Sequence, residues 1–177
     1  MAIYTKKGDR GKTSVLESKE RIPKDSLKIN AIGAVDELNS YLGVVLTVCQ
    51  NPAITTTIKQ IQNDLFRIGS ILAGSRLDFS QSKTKSLEKS IDHLEGKLPV
   101  LKNFLYSRGS SLSSHLQYSR TLARKAERQV VALNEGGFYI RPSILSYLNR
   151  LSDALFMLAR EANYNLGIKE EIWKAKK

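Results

Sequence analysis

Apolar residues recur along most of this chain at helical spacing. Ile32, Val35, Leu38, Leu42, Val45 and Leu46 follow the i, i+3, i+4, i+7 rule and predict a helix over roughly residues 30–49. Asn51-Pro52 breaks it, and a second stripe (Ile54, Ile58, Ile61, Leu65, Ile68, Leu72) predicts a helix from about Ala53 to Ala73. The polar stretch 74–83 reads as a loop. Leu87, Ile91, Leu94 and Leu98 mark a shorter third helix, closed by Pro99. After a connection over 100–109 that carries Phe104 and Tyr106, a fourth helix runs from about Ser110 to Leu133, with Glu135-Gly136-Gly137 as its stop. Pro142 suits the first turn of a fifth, whose stripe is Ile144, Leu148, Leu151, Leu155, Leu158 and Ala162 and which ends near Gly167.

Amphipathic helices on short links, with no strand pattern and no internal repeat, bury their stripes most economically against one another. The expected fold is all-α, a five-helix bundle with a four-helix up-down core plus one helix. Residues 1–29 lack that periodicity. They hold Gly8, Gly11 and Pro23, and eight Lys/Arg against four acids. The chain thus divides into an irregular N-terminal segment, 1–29, and a bundle, 30–177, within one domain of 177 residues.

Composition narrows the chemistry. One cysteine, Cys49, excludes an internal disulfide and a cysteine-cluster metal site, and it suits a reducing, cytoplasmic setting. No apolar run reaches the roughly 20 residues of a membrane span, so no membrane partner is expected. The formal charge of +11 points to an anionic partner. Nucleic acid is not expected to be that partner, because the cations are dispersed and no aromatic residues interleave with them as stacking platforms. A di-iron carboxylate site needs Glu three places before His, whereas His93 follows Ser90 and His115 follows Leu112.

The most ordered charge pattern lies in the fourth helix, where Arg120, Arg124 and Arg128 recur every fourth residue and share one surface strip. Stacked cations repel one another unless an anion is held against them. The strip is either a solvated basic face or an anion site for a polyphosphate. Gly8-Asp9-Arg10-Gly11-Lys12-Thr13 is not a P-loop, since Lys6 stands where the first glycine belongs. A glycine-rich loop can still wrap phosphate with backbone N–H groups. Polar groups also interrupt the first helix at Asp36-Glu37-Leu38-Asn39-Ser40 and the fifth at Asn149-Arg150-Leu151-Ser152-Asp153, where Arg150 and Asp153 are placed for a structural ion pair.

Four blocks, taken together, resemble the successive signatures of one family. They are Ile3 to Thr13, Val35 to Ser40, Arg124 to Arg128 and Asn149 to Asp153, in family order and spacing. The family is the PduO-type ATP:cob(I)alamin adenosyltransferases. The resemblance implies a five-helix-bundle homotrimer with active sites between neighbouring subunits. It implies transfer of the 5′-deoxyadenosyl group of Mg-ATP to the cobalt of a cob(I)alamin or related corrinoid, giving adenosylcobalamin and triphosphate. A reductase and an adenosylcobalamin-dependent mutase or dehydratase are implied as partners.

By the same resemblance Thr5, Lys6, Lys7, Gly8, Asp9, Thr13 and Ser14 belong to a loop closing over ATP, and Lys24 contacts the nucleotide. Arg124, Lys125, Glu127 and Arg128 belong to the segment gripping the triphosphate, with Glu127 a ligand to Mg²⁺ through ATP, and Asn149 is a further ATP contact. Asp36 and Arg120 form a salt bridge across the subunit interface beside the corrinoid, and Phe104 sits against the lower face of the corrin. The chain departs from the family at Lys125, where arginine is usual, and at Gln117, where histidine is common. It departs again at Tyr106-Ser107-Arg108-Gly109, where Leu-Pro-Gly-Gly is usual. Arg108 is expected to fill the space a glycine pair leaves beside the corrin. That loop motivates an alternative, a non-catalytic relative that binds ATP or a corrinoid as a carrier or sensor.

Overall fold

The computed structural model describes residue 4, residues 6–16 and residues 20–174. Five helices follow a short ribbon: α1 Leu27–Val48, α2 Pro52–Leu72, α3 Ser82–Lys97, α4 Ser111–Glu135 and α5 Pro142–Asn165. The expected all-α bundle is present. Contacts between side chains fix the directions. Lys125 meets Glu37 while Tyr41 meets His115, so α1 and α4 run antiparallel. Asn149 meets Glu127 while Asn163 meets Ser110, so α4 and α5 do as well. Thr84 lies by Ser146 and Lys97 by Glu161, which sets α3 alongside α5 in the same direction. The chain therefore runs up and down through all five helices.

Each helix begins and ends for a local reason. Asn51 caps α2, its Oδ1 accepting from the N–H groups of Ala53 and Ile54 at 2.9 and 3.1 Å, and Pro52 occupies the first helical position. Ser110 caps α4 through Ser113 N at 3.0 Å. The stripes form the core: Leu38 and Leu42 of α1, Ile58, Ile61 and Leu65 of α2, Leu116 and Val130 of α4, and Leu148, Leu151 and Leu155 of α5. The helix α1 is long and apolar enough, by length and composition, to cross a bilayer, contrary to the expectation that no segment would be. Its side chains at Ala31, Val35, Leu38, Leu42 and Val45 line the bundle interior.

Three boundaries differ from the sequence expectation. The helix α1 starts at Leu27, since nothing between the Pro23 turn and Ala31 opposes helix. The first turn of α3 falls inside the polar stretch read as a loop, because Ser80 Oγ accepts from Ser82 N and Lys83 is drawn inward to Asp64. A two-residue antiparallel ribbon, β1 Lys12–Thr13 with β2 Ile22–Pro23, crosses the segment expected to be irregular. It is too short to show a period of two.

One polar knot ties α2, α3 and α5. Asp64, buried at 5 % exposure, accepts from Lys83 Nζ, from Gln60 Nε2 at 3.1 Å and from Tyr147 Oη at 3.1 Å. Burial, with the adjacent carboxylate, holds the Tyr147 phenol well above its ordinary value. A group that keeps its proton longer when folded adds stability below its unfolded pKa. That stability is lost as pH rises from about 10 toward the folded value. Tyr147→Phe should cost about 1 kcal/mol near neutral pH. In urea unfolding, the wild-type advantage should then shrink above about pH 10. Parallel pH profiles for the two proteins would contradict the buried phenol as its source.

Candidate active site

The strip of α4 comes from helical geometry alone. Arg120 is half-buried, Arg124 and Arg128 are exposed, and the three share a face because four residues span slightly more than one turn. Burial lowers the Arg120 guanidinium from its ordinary value, and neighbouring Arg124 lowers it further. Its Nε donates to Gln117 Oε1 at 2.9 Å, a neutral partner. Lys125 and Glu127, by contrast, are committed within the chain. Lys125 Nζ binds Glu37 Oε2 at 2.6 Å, and Glu127 Oε1 accepts from Asn149 Nδ2 at 2.8 Å. Among the described residues no anionic partner meets Arg124, Arg128 or Arg120, and none of the cations meets Asp36, which is exposed on α1.

Arg120 and Arg124 open onto a cleft of about 1050 Å³. Its opposite wall is α3, which presents Glu88, Asp92 and Glu95; its floor is the 99–107 connection with Phe104; and α5 contributes Arg150, Phe156, Met157 and Arg160. Arg150 forms the expected pair with Asp153 at 2.8 Å and reaches Glu88 at 3.4 Å. The hydrogen bond it donates to Asp153 holds its guanidinium above the ordinary value. One side of the cleft is thus cationic without internal neutralisation, the other acidic, and between them lies an aromatic ring 80 % exposed. Such a cavity suits a large ligand with an anionic part and a broad apolar face.

Phe104 and its neighbours are held by the end of the chain. Trp173 N donates to Phe104 O at 2.8 Å, Tyr106 N donates to Glu171 O at 2.9 Å, and Leu105 pairs with Ile172 as an isolated antiparallel bridge. The Phe104 and Trp173 rings meet edge to face, centroids 6.5 Å apart. Arg108 does not fill the cleft. It turns to the tail, with Nε 2.9 Å from Glu171 Oε2 and its guanidinium 4.2 Å from the Tyr106 ring centroid. The expectation that Arg108 fills the space beside the corrin is corrected accordingly. At the far end of the connection, Gly109 has φ +138°, and a Cβ there would fall 2.3 Å from Asn163 Oδ1. That oxygen accepts from Ser110 N, and Asn163 Nδ2 donates to Arg108 O. Only glycine fits.

The N-terminal residues gather elsewhere. The ribbon sets Lys24 against Gly8, with Nζ 3.4 Å from where a Cβ would stand. Lys24 N donates to Gly11 O at 2.9 Å, and Leu16 N donates to Ala73 O at 3.1 Å. Lys6, Lys7, Gly8, Asp9, Thr13, Ser14 and Lys24 therefore sit where α1 begins and α2 ends. The 99–107 floor is at the opposite end of the bundle, and α4, with 25 residues, spans about 37 Å between them. One chain does not bring the loop and the floor together. Thr5 lies outside the described residues. Among the described residues no group of three or more His, Cys, Asp or Glu is placed to hold a metal ion, so Glu127 is a single carboxylate, already sharing one oxygen with Asn149.

Sequence reasoning missed the acidic wall of α3, although Glu88 and Asp92 stand at i, i+4 beside the apolar stripe. It missed Arg160 and the tail too, whose roles depend on contacts with distant backbone.

Comparison with known proteins gives this geometry its context. The family model described as cobalamin adenosyltransferase matches residues 3–162. The corrinoid adenosyltransferase of Bacillus subtilis (strain 168) is 39% identical over 176 residues, covering 95% of this chain and 90% of that protein. Corrinoid adenosyltransferase MMAB of Homo sapiens is 37% identical over 183 residues, covering 97% and 72%. A variant PduO-type ATP:corrinoid adenosyltransferase from Lactobacillus reuteri, complexed with cobalamin and ATP, superposes with a TM-score of 0.93 at 34% identity, covering 99% of this chain and 98% of that one. A further variant of that enzyme, complexed with ATP, gives 0.91 at 34% identity, covering 97% and 100%. With the family model matched over residues 3–162 and the fold in agreement over nearly its whole length, this chain belongs to the cobalamin adenosyltransferase family.

Proposed function

We propose that the arginine strip beside the Phe104 cleft is where this enzyme transfers the 5′-deoxyadenosyl group of ATP to the cobalt of a cob(I)alamin-type corrinoid. The observation that carries this reading is the set of arginines facing a large cleft with no anion of the chain's own to neutralise them. Co(I) is itself the nucleophile, so attack at C5′ requires no protein base. The cobalt–carbon bond forms as the C5′–O bond breaks, and triphosphate leaves with the bonding electrons. Charge grows on the leaving oxygens, where Arg124 and Arg128 are preorganised to receive it. Mg²⁺, when bound, neutralises phosphate charge; it is read as arriving on ATP, with Glu127 and Asn149 beside it, since the residues present offer one carboxylate and hard-cation sites of this kind lean on substrate phosphates.

Phe104 is read as the ring under the corrin. An apolar surface there excludes a lower axial ligand, which eases reduction of Co(II) to Co(I). The N-terminal loop, with Lys6 to Ser14 and Lys24, is read as closing over ATP of a neighbouring subunit. What supports assembly of neighbouring subunits is the separation of loop from floor within one chain, together with Asp36 and Arg120, each exposed or half-buried and without an oppositely charged partner among the described residues; that the number is three rests on the family resemblance. The cytoplasm is the proposed setting, where a reductase supplies electrons and an adenosylcobalamin-dependent mutase or dehydratase takes the product.

With chemically reduced cobalamin, Mg²⁺ and ATP, the Co(I) absorbance should disappear and a light-sensitive product form; an unchanged spectrum would sink the assignment. Arg124→Ala should lower turnover roughly 10²–10³-fold while the circular dichroism and melting temperature stay those of the parent. A parental rate would remove Arg124 from the site. Asp36→Asn should raise the KM for corrinoid more than that for ATP and weaken assembly in light scattering. Equal changes in both constants with an intact oligomer would count against the interface role.

A further inference from the structure

Arg160 is a charge inside an apolar stripe, 5 % exposed on α5. Its guanidinium joins two segments, the 99–107 connection and the tail after α5. Nε and an NH₂ nitrogen each donate at 2.9 Å to the two carboxylate oxygens of Glu170, and that nitrogen also donates at 2.7 Å to Pro99 O. The bidentate fork matches a carboxylate and fixes its direction as well as its position. Pro99 opens the connection that carries Phe104. Glu170 opens the tail whose next three residues form the bridge to residues 104–106.

The middle of that connection has little else to hold it. Phe104 and Tyr106 are exposed, and among the described residues the backbone hydrogen bonds of residues 104–106 to distant parts of the chain run to the tail. We propose that the Arg160–Glu170 pair is a latch that positions Phe104 for corrinoid: Arg160 aligns the tail, and the tail aligns the ring. Both are positioning residues, since neither is placed against the reacting atoms. The proposal rests on Phe104 as the ring beneath the corrin, and its test separates the two ideas.

Trp173 is the only tryptophan in the chain and meets Phe104 edge to face, so its fluorescence reports on the tail with no ligand present. In the full-length protein, Glu170→Ala should red-shift the Trp173 emission and increase its quenching by acrylamide. It should lower turnover from Co(II) cobalamin plus reductant by about tenfold or more, as expected when a positioning contact is lost. The KM for ATP and the rate with pre-reduced Co(I) should stay within about twofold, because the arginine strip is untouched. Added to Phe104→Ala, it should cost nothing more, the signature of two residues acting through one feature. Glu170→Gln, which keeps acceptor and shape, should fall between, and serves if the alanine variant does not fold.

Parental Trp173 quenching and turnover in Glu170→Ala, or losses that multiply in the double variant, would overturn the latch. A uniform fall in every rate with a lowered melting temperature would reduce it to a structural contact. If Phe104→Ala alone turned over Co(II) cobalamin like the parent, the role of Phe104 would fail instead, while the quenching result would still report whether Glu170 holds the tail.

Discussion

A charge cannot be taken out of water without a partner, and the last turns of α5 bury three polar side chains in succession: Arg160, Glu161 and Asn163. Each finds its partner on a different segment at the same end of the bundle. Arg160 takes Pro99 and Glu170, Glu161 takes Lys97 at the end of α3, and Asn163 takes the backbone around Gly109 and Ser110. The requirement to satisfy one helix end therefore fixes where α3 stops, where α4 starts and how the chain closes. The floor of the cleft is the sum of those obligations. Its aromatic ring lies at the surface, yet the frame beneath it is as constrained as the core.

The other wall follows the opposite rule. Arg120, Arg124 and Arg128 stand in line without anionic partners among the described residues, while the flanking Lys125 and Glu127 are each engaged. Pairing the flanks fixes α4 against α1 and α5, so the rotation of the helix, and with it the face on which the three arginines stand, is set by the chain's own contacts. Burial, and after it repulsion from Arg124, lowers the proton affinity of Arg120. An anionic ligand relieves that repulsion. A cationic wall beside a braced aromatic floor is suited to a reaction whose leaving group carries the charge.

The helices could be read from the chain because each carries an unbroken stripe, and the pattern of Leu148, Leu151 and Leu155 admits no other period. The strip was legible for the same reason, since spacing by four is a statement about one face. What the strip meant was not: only its company, the blocks at Val35 to Ser40 and Asn149 to Asp153, turned a basic face into an expected phosphate grip. The ribbon of Lys12–Thr13 and Ile22–Pro23 left no periodic trace in four residues. Arg108 was misplaced because its direction is decided by Glu171, more than sixty positions later. The tail carried no pattern at all, as its hold on residues 104–106 is made by backbone groups that every sequence possesses.

Gly109 and Asn163 share a space that admits only one side chain. For a lineage carrying this fold, the two positions form a single evolutionary character. A side chain at 109 demands a smaller residue at 163, and a smaller residue at 163 abandons Ser110 N and Arg108 O. Neither first step is neutral, so the pair resists change one position at a time. The joint that aims residues 100–107 is thereby held at one end by that pair, while Phe104 within them is held by the tail.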